Sequence, residues 1–377
     1  MDNLRKFTGM REFNITPYST ILLYSSAKLK DDLFSNLEYY SEINDVGIEF
    51  IKSYGYTTKK QQENVFFLFQ SFIRQSKIFY EAAEVSDFRA SPLLYYYSFI
   101  NLAKAFLCLI KPKDINKKIH HGLFHNFQKT KFENQNVIVG GGIFPILYKA
   151  IIGKPIKEGT SLNISNLFAY QSDITYEYYL ANYGDIKFIP GKSQLCVNQN
   201  ESETWPVISL HNPHQINKYK KYFKSFNNYF EKIDFSKNLA KDVFNIDGTE
   251  FRDYSFYQSK KIYKYVNNIL PANKIMNDCW GNIRFYCMPI SKKSDFDFFI
   301  FLPLKNNLQI PFNDTLAAYV IMFYLGSLIR YHPYYLENLF NSKHAWIIER
   351  FTKNCGTLYL RNICNLILKK NLIYANN

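Results

Sequence analysis

Residues 89–123, RASPLLYYYSFINLAKAFLCLIKPKDINKKIHHGL, decide how this chain is read: a helix-length apolar run with three consecutive tyrosines, a lysine-rich link, then paired histidines before a glycine. Pro92 suits the first turn of a helix, where its missing N–H has no intrahelical partner to lose, and Ser91 is a natural N-cap. From there Leu93, Leu94, Tyr97, Phe99, Ile100, Leu102, Ala103, Phe106, Leu107 and Ile110 cover nearly every face at helical spacing. That pattern predicts a helix surrounded by other helices rather than one lying on a surface. Tyr95, Tyr96 and Tyr97 are expected mostly in core packing, with one hydroxyl at most, that of Tyr96, left for a ligand.

The chain has 377 residues, enough to bury a sizeable core without metals or disulfides. Its six cysteines are scattered without CxxC spacing, and no basic, apolar, small-residue leader precedes them, so reduced thiols and a cytoplasmic location are expected. Two segments invite a membrane reading. Residues 91–110 contain Asn101 and Lys104, and residues 315–329 offer about 15 uncharged positions where a span needs ~20, so both are expected as buried helices with no membrane partner. The formal charge of +14, from 46 Lys and Arg against 32 Asp and Glu, favours polyanionic partners. Only nine of those cations are arginine, and the abundance of Lys, Asn, Ile, Tyr and Phe is also what an AT-rich genome writes onto solvated faces.

Outward from the opening stretch, Thr57 or Thr58 caps a helix whose stripe of Val65, Phe66, Phe69, Phe72, Ile73 and Tyr80 runs to about Ala83. The short link that follows forces it to pair antiparallel with the helix from Ser91. Downstream, residues 137–142 end in three glycines ahead of a helix over 144–152. Neither GxGxxG nor GxxxxGK[ST] is present there, so a tight turn is expected rather than a phosphate cradle. Residues 186–189, 194–197, 206–210, 283–290 and 298–304 have strand character. After Pro311 the chain returns to helices at 315–330, 342–352 and 356–373, the first capped by Asn313 or Asp314. The segments expected are 1–56, 57–180, 181–310 and 311–377.

His120 and His121 lie in a stretch with Lys117 and Lys118 before them and His125 after. Imidazoles that titrate near neutrality beside lysines suit a phosphate backbone or acid/base work on a phosphodiester; the alternative is a helix start with solvated lysines. Arg330 and His332 end an uncharged helix, where Arg330 either complements the helix dipole or reaches inward to an anion with His332 beside it. Lys104, alone in its apolar helix, either snorkels or meets an anion. Lys220 and Lys221 belong to KYKKYFKSFNNY at 218–229, an amphipathic helix first and a single-strand nucleic-acid platform second. His211 and His214 lack companion ligands at metal spacing, so no metal and no cofactor is expected.

The blocks SPLLYYYSFINLAKAFL with HHGL, and MFYLGSLIRYHPYYLENL with KHAWIIERF, resemble the bacterial YaaC-like family. The paired tyrosines, the Ala-containing helix and the later His-Gly also resemble HEPN domains, helical bundles of prokaryotic toxin and antiviral systems, many of them metal-independent ribonucleases. The HEPN signature, Arg followed by His after four to six residues, is absent, and Arg330-Tyr331-His332 has the wrong spacing. The two resemblances imply a mainly α fold: an HEPN-like helical bundle with an α+β insertion in the middle and a C-terminal helical segment. They imply a component of antiviral or stress defence that binds RNA, DNA or a nucleotide through basic surfaces. If the chain is an enzyme, the expected reaction is phosphodiester cleavage, with His120 or His121 as base and Arg330 or Lys104 as phosphate stabiliser. The alternative is a non-catalytic scaffold that packs against a partner protein or a second copy.

Overall fold

The computed structural model describes all residues except 1, 2, 17, 24–28, 118, 119, 126, 128–130, 182, 213–215, 217, 267, 268, 285, 286, 290–295, 305–309 and 375–377. The chain divides into two compact units, each discontinuous in sequence: Met1–Ile21 with Lys187–Pro311, and Leu22–Ile186 with Phe312–Asn377.

The second of these is built around the Ser91–Ile110 helix. Tyr95, Tyr96, Phe99, Leu102, Ala103 and Leu107 are all buried, because the helix has neighbours on every side. Residues 91–110 are long and apolar enough to cross a bilayer, and 72% of that stretch is buried in protein. Ala90 rather than Ser91 holds the N-cap position, and Ser91 opens the helix with its hydroxyl donating to the Phe88 carbonyl. The Lys59–Val85 helix, capped by the Thr58 hydroxyl, packs antiparallel to it, with Ser76 and Ser98 hydroxyls 2.9 Å apart across the pair. Asn313 caps the Asp314–Tyr331 helix by accepting from the Leu316 N–H at 3.0 Å, and residues 314–328 are buried without interruption. The Ala345–Leu368 helix runs unbroken where two shorter ones are expected, and its Tyr359 stacks on Phe99 with ring centroids 4.0 Å apart. A three-stranded antiparallel sheet, His121–Phe124, Asn136–Gly142 and Ser161–Asn163, completes the part that matters below.

The other unit overturns the expectation of a mainly α, HEPN-like bundle. Its centre is an eight-stranded sheet whose main path runs Cys287–Pro289, Phe298–Phe301, Phe188–Asn198, Glu203–His211, Tyr254–Ser259, Phe230–Ile233. Gly9–Glu12 pairs with Phe188–Asn198, Tyr263–Lys264 pairs with Glu203–His211, and every pairing is antiparallel. Successive residues feed opposite cores. Leu195, Ile208 and Leu210 face a cluster with Ile275, Cys279 and Ile283 of the Ala272–Ile283 helix, while Cys196, Trp205 and Val207 face one with Ala240, Val243 and Phe244 of the Lys237–Phe244 helix. A strand buried on both faces loses the polar alternation that announces strands, which is why short strand-like segments understate this sheet.

Candidate functional site

The glycines after Val139 explain where the paired histidines sit. The His121–Phe124 strand lies antiparallel to Asn136–Gly142, with His121 opposite Gly142 and a register shift at Gly122, whose φ is +80°. Gly142 has φ +146°, and a Cβ there would fall 2.4 Å from the His120 carbonyl oxygen. Only glycine permits that approach. The Ile143 N–H, at the start of the next helix, donates to the same carbonyl at 3.0 Å. The glycine run thus clamps the backbone of the histidines, which lie at and just before a strand rather than at a helix start.

His121 is fixed from the helical side as well. The Tyr96 hydroxyl, on the central helix, lies 2.5 Å from His121 Nδ1. Burial, and then the positive charges of Arg330, Lys104 and His120, depress the His121 pKa below its ordinary value. Burial also raises the Tyr96 phenol, so both groups are neutral at pH 7. One proton is shared between the phenol oxygen and Nδ1, and which of the two donates follows the His121 tautomer.

The Asp314–Tyr331 helix brings Arg330 to its last turn, where a guanidinium complements the carbonyl end of the helix dipole. Arg330 Nε donates to the Gly326 carbonyl at 3.3 Å, and the guanidinium carbon lies 5.0 Å from the Tyr331 ring centroid. Among the described residues no carboxylate pairs with Arg330. His332 caps the helix and stacks on Phe127, centroids 3.9 Å apart. His125 Nε2 lies 3.4 Å from the Gln135 side-chain oxygen. Burial, reinforced by His332 and opposed by Gln135, lowers the His125 pKa.

These elements frame a pocket of about 350 Å³ whose lining includes His120, His121, His125, Arg330 and His332. Phe124, Phe323 and Tyr331 provide its apolar surface, and among the described residues no Asp or Glu lines it. Four of the residues singled out in the sequence, His120, His121, Arg330 and His332, therefore meet in one place, although Arg330 and His332 lie far downstream of the histidine pair. Tyr96 supports them from beneath. Lys104 is half-buried with its ammonium 5.7 Å from the Phe72 ring; it does not line the pocket and reaches it only through its field on His121. Burial lowers its pKa.

The remaining candidates fall elsewhere. Lys117 closes the short Pro112–Lys117 helix, and Lys118 and His214 lie outside the described residues. Lys220 and Lys221 are exposed in the sheet unit, on a turn preceding the Lys224–Tyr229 helix, while Tyr222, Phe223 and Phe226 beside them are core. That is the amphipathic arrangement, with a turn replacing the first half of the expected helix. Phe124 and Phe323 were missed. The alternation in HGLF after His120 carried the signal for Phe124, had the histidine segment been taken for a strand. Among the described residues no three His, Cys, Asp or Glu side chains cluster as metal ligands.

No curated protein and no solved structure matches the chain, and the likeness to HEPN domains finds no support. The family model described as YaaC-like Protein matches residues 49–367, a span that includes every element of this pocket, and the chain belongs to the YaaC-like family.

Proposed function

We propose that this YaaC-like protein binds a phosphate ester, carried by a nucleotide or by single-stranded nucleic acid, in the pocket of His120, His121, Arg330 and His332. The observation that carries the reading is the convergence of one guanidinium and four imidazoles around a cavity without a carboxylate. An uncompensated arginine in a partly enclosed site attracts an anion strongly, because charge-assisted hydrogen bonds there escape most solvent screening. At about 350 Å³ the cavity accommodates one nucleotide-sized group and excludes a duplex. The defence role rested on the HEPN likeness and is set aside with it.

Titration calorimetry with ribose 5-phosphate tests the reading. Saturable one-site binding that Arg330→Gln weakens by a factor of ten or more is expected, and absence of binding at low ionic strength contradicts it. Parallel incubation with labelled RNA, single-stranded DNA and duplex DNA, with His120→Ala and His121→Ala variants alongside, records whether binding leads to cleavage.

A second reading, a protein-interaction subunit, is favoured by a surface where Tyr176, Tyr179, Leu180 and Trp346 are all exposed and the Tyr176 and Trp346 rings lie 6.4 Å apart. Sedimentation of the wild type against Trp346→Ser checks it: a shift from dimer to monomer supports self-association through this face, and identical monomers remove that case.

A further inference from the structure

The pocket has a second chemistry that phosphate recognition does not use. Phe124 and Tyr331 line it beside Arg330 and the histidines, and they are 59% and 66% exposed. Phe124 is held in a definite way. A Cβ placed on Gly140 would sit 1.9 Å from Phe124 Cε2 and 2.6 Å from Cδ2, so the ring lies directly against the glycine backbone. Gly140 thus meets the Cε2 edge of Phe124, and the ring itself stays largely exposed at the pocket. Any side chain at position 140 would push the ring away. The triple glycine thus has two separate tasks: Gly142 admits the His120 carbonyl, and Gly140 seats an aromatic platform at the pocket mouth.

Tyr331 follows Arg330 directly at the end of its helix, with the guanidinium over its ring. A ligand whose phosphate meets Arg330 has an aromatic surface within one residue of that contact. Planar heterocycles stack on such rings irrespective of sequence, and every nucleobase offers a π face.

We propose that Phe124 and Tyr331 form a base-stacking subsite, so that the ligand is a single unstacked nucleoside monophosphate unit rather than a bare phosphate, a sugar phosphate or a phospholipid headgroup. The inference rests on the phosphate reading above and narrows its substrate class. The unit has two sources of the same chemistry: a free nucleotide, or one nucleotide splayed from a single strand.

Calorimetry on the full-length protein separates the cases, using ribose 5-phosphate, AMP, adenosine and an adenosine hexanucleotide against wild type, Phe124→Leu, Tyr331→Leu and Arg330→Gln. Stacking predicts that AMP binds the wild type roughly tenfold or more tightly than ribose 5-phosphate. Each rim variant is expected to lower AMP affinity more than ribose 5-phosphate affinity, erasing most of that preference. Equal affinities for AMP and ribose 5-phosphate, indifferent to the rim variants, would overturn the stacking subsite and leave the phosphate reading standing. Adenosine binding that the rim variants weaken, with no binding of ribose 5-phosphate, would keep the subsite and sink the phosphate reading. A hexanucleotide that binds more tightly than AMP identifies the strand as the source; one that binds no better identifies the free nucleotide.

Discussion

Two hollows in the helical unit are lined by cations and by no acidic residue, and they differ in how the charge is held. The larger, about 700 Å³, lies among Tyr54, Tyr56, Lys111, Lys113 and Lys369. Lys113 and Lys369 are exposed, and the Lys369 ammonium rests 4.0 Å from the Tyr54 ring centroid. Ordering such chains around a ligand costs up to about 2 kcal/mol each in rotamer freedom. In the smaller pocket, about 350 Å³, much of that ordering is already done: Tyr96 holds His121, Phe127 stacks on His332, and the Gly326 carbonyl accepts from Arg330. Size and charge are therefore poor guides here. Pre-positioned donors are what single out the half-sized pocket as the proposed binding site.

The sharpest way to break this contrast is to remove one cation from each hollow. Arg330→Ala is expected to weaken ribose 5-phosphate binding by a factor of ten or more, since a charge-assisted hydrogen bond is worth about 1.5–3 kcal/mol. Lys369→Ala is expected to change the same calorimetric constant less than twofold. Reversal of that order would transfer the site to the larger hollow.

Acidity gives the next largest effect. Because burial and neighbouring cations depress His121 below the ordinary histidine value of 6.5, the free pocket holds it neutral at pH 7, and protonation adds a positive charge only at lower pH. Affinity for sulfate, whose charge is constant in this range, should be flat above pH 6.5 and rise as pH falls through the depressed value. The rise should be smaller in His121→Asn, where His125 alone of the two depressed imidazoles still gains a proton. Stability moves in the opposite direction: with folded values of His121 and His125 below their unfolded ones, their contribution is complete above pH 6.5 and is lost as pH falls through the folded values. Thermal melts between pH 7.5 and 5 read that loss, and a stability rising on acidification would contradict it.

Smaller still is the support beneath His121. Tyr96→Phe keeps the buried ring but leaves Nδ1 without its partner, for an expected loss of about 1 kcal/mol in chemical denaturation. A severalfold drop in anion affinity should accompany it as the His121 ring loses its fixed orientation. Affinity unchanged in a destabilised variant would make Tyr96 a packing residue only. At the bottom of the scale, Lys220→Ala with Lys221→Ala is expected to leave both stability and sulfate affinity unaltered, because these side chains are exposed in the other unit.

Helix signals in this sequence survive folding because they are local. Thr58 and Asn313 cap the helices they announce, Gly153 closes the Ile143–Ile152 helix with φ +83°, and the all-round apolar residues after Ser91 mark a helix with neighbours on every side. Sheet signals are weaker for a physical reason. Gly9–Glu12 finds its partner at Gln194–Val197, a pairing no local pattern encodes, and residues such as Leu195 and Cys196 enter opposite cores, so both look simply apolar. The site was half legible: residue chemistry marked His120, His121, Arg330 and His332, but their meeting depends on the packing of the Asp314 helix against the Ser91 helix. Phe124 stayed hidden because its role requires Gly140 on the neighbouring strand.

The most direct test of the central claim follows the histidine ring signals by NMR while ribose 5-phosphate is titrated into the protein, with His→Gln variants supplying assignments. The convergent pocket predicts that His120, His121 and His332 shift together along one isotherm, while His211 stays still. Independent isotherms for the three rings, or shifts confined to histidines outside this pocket, would contradict it.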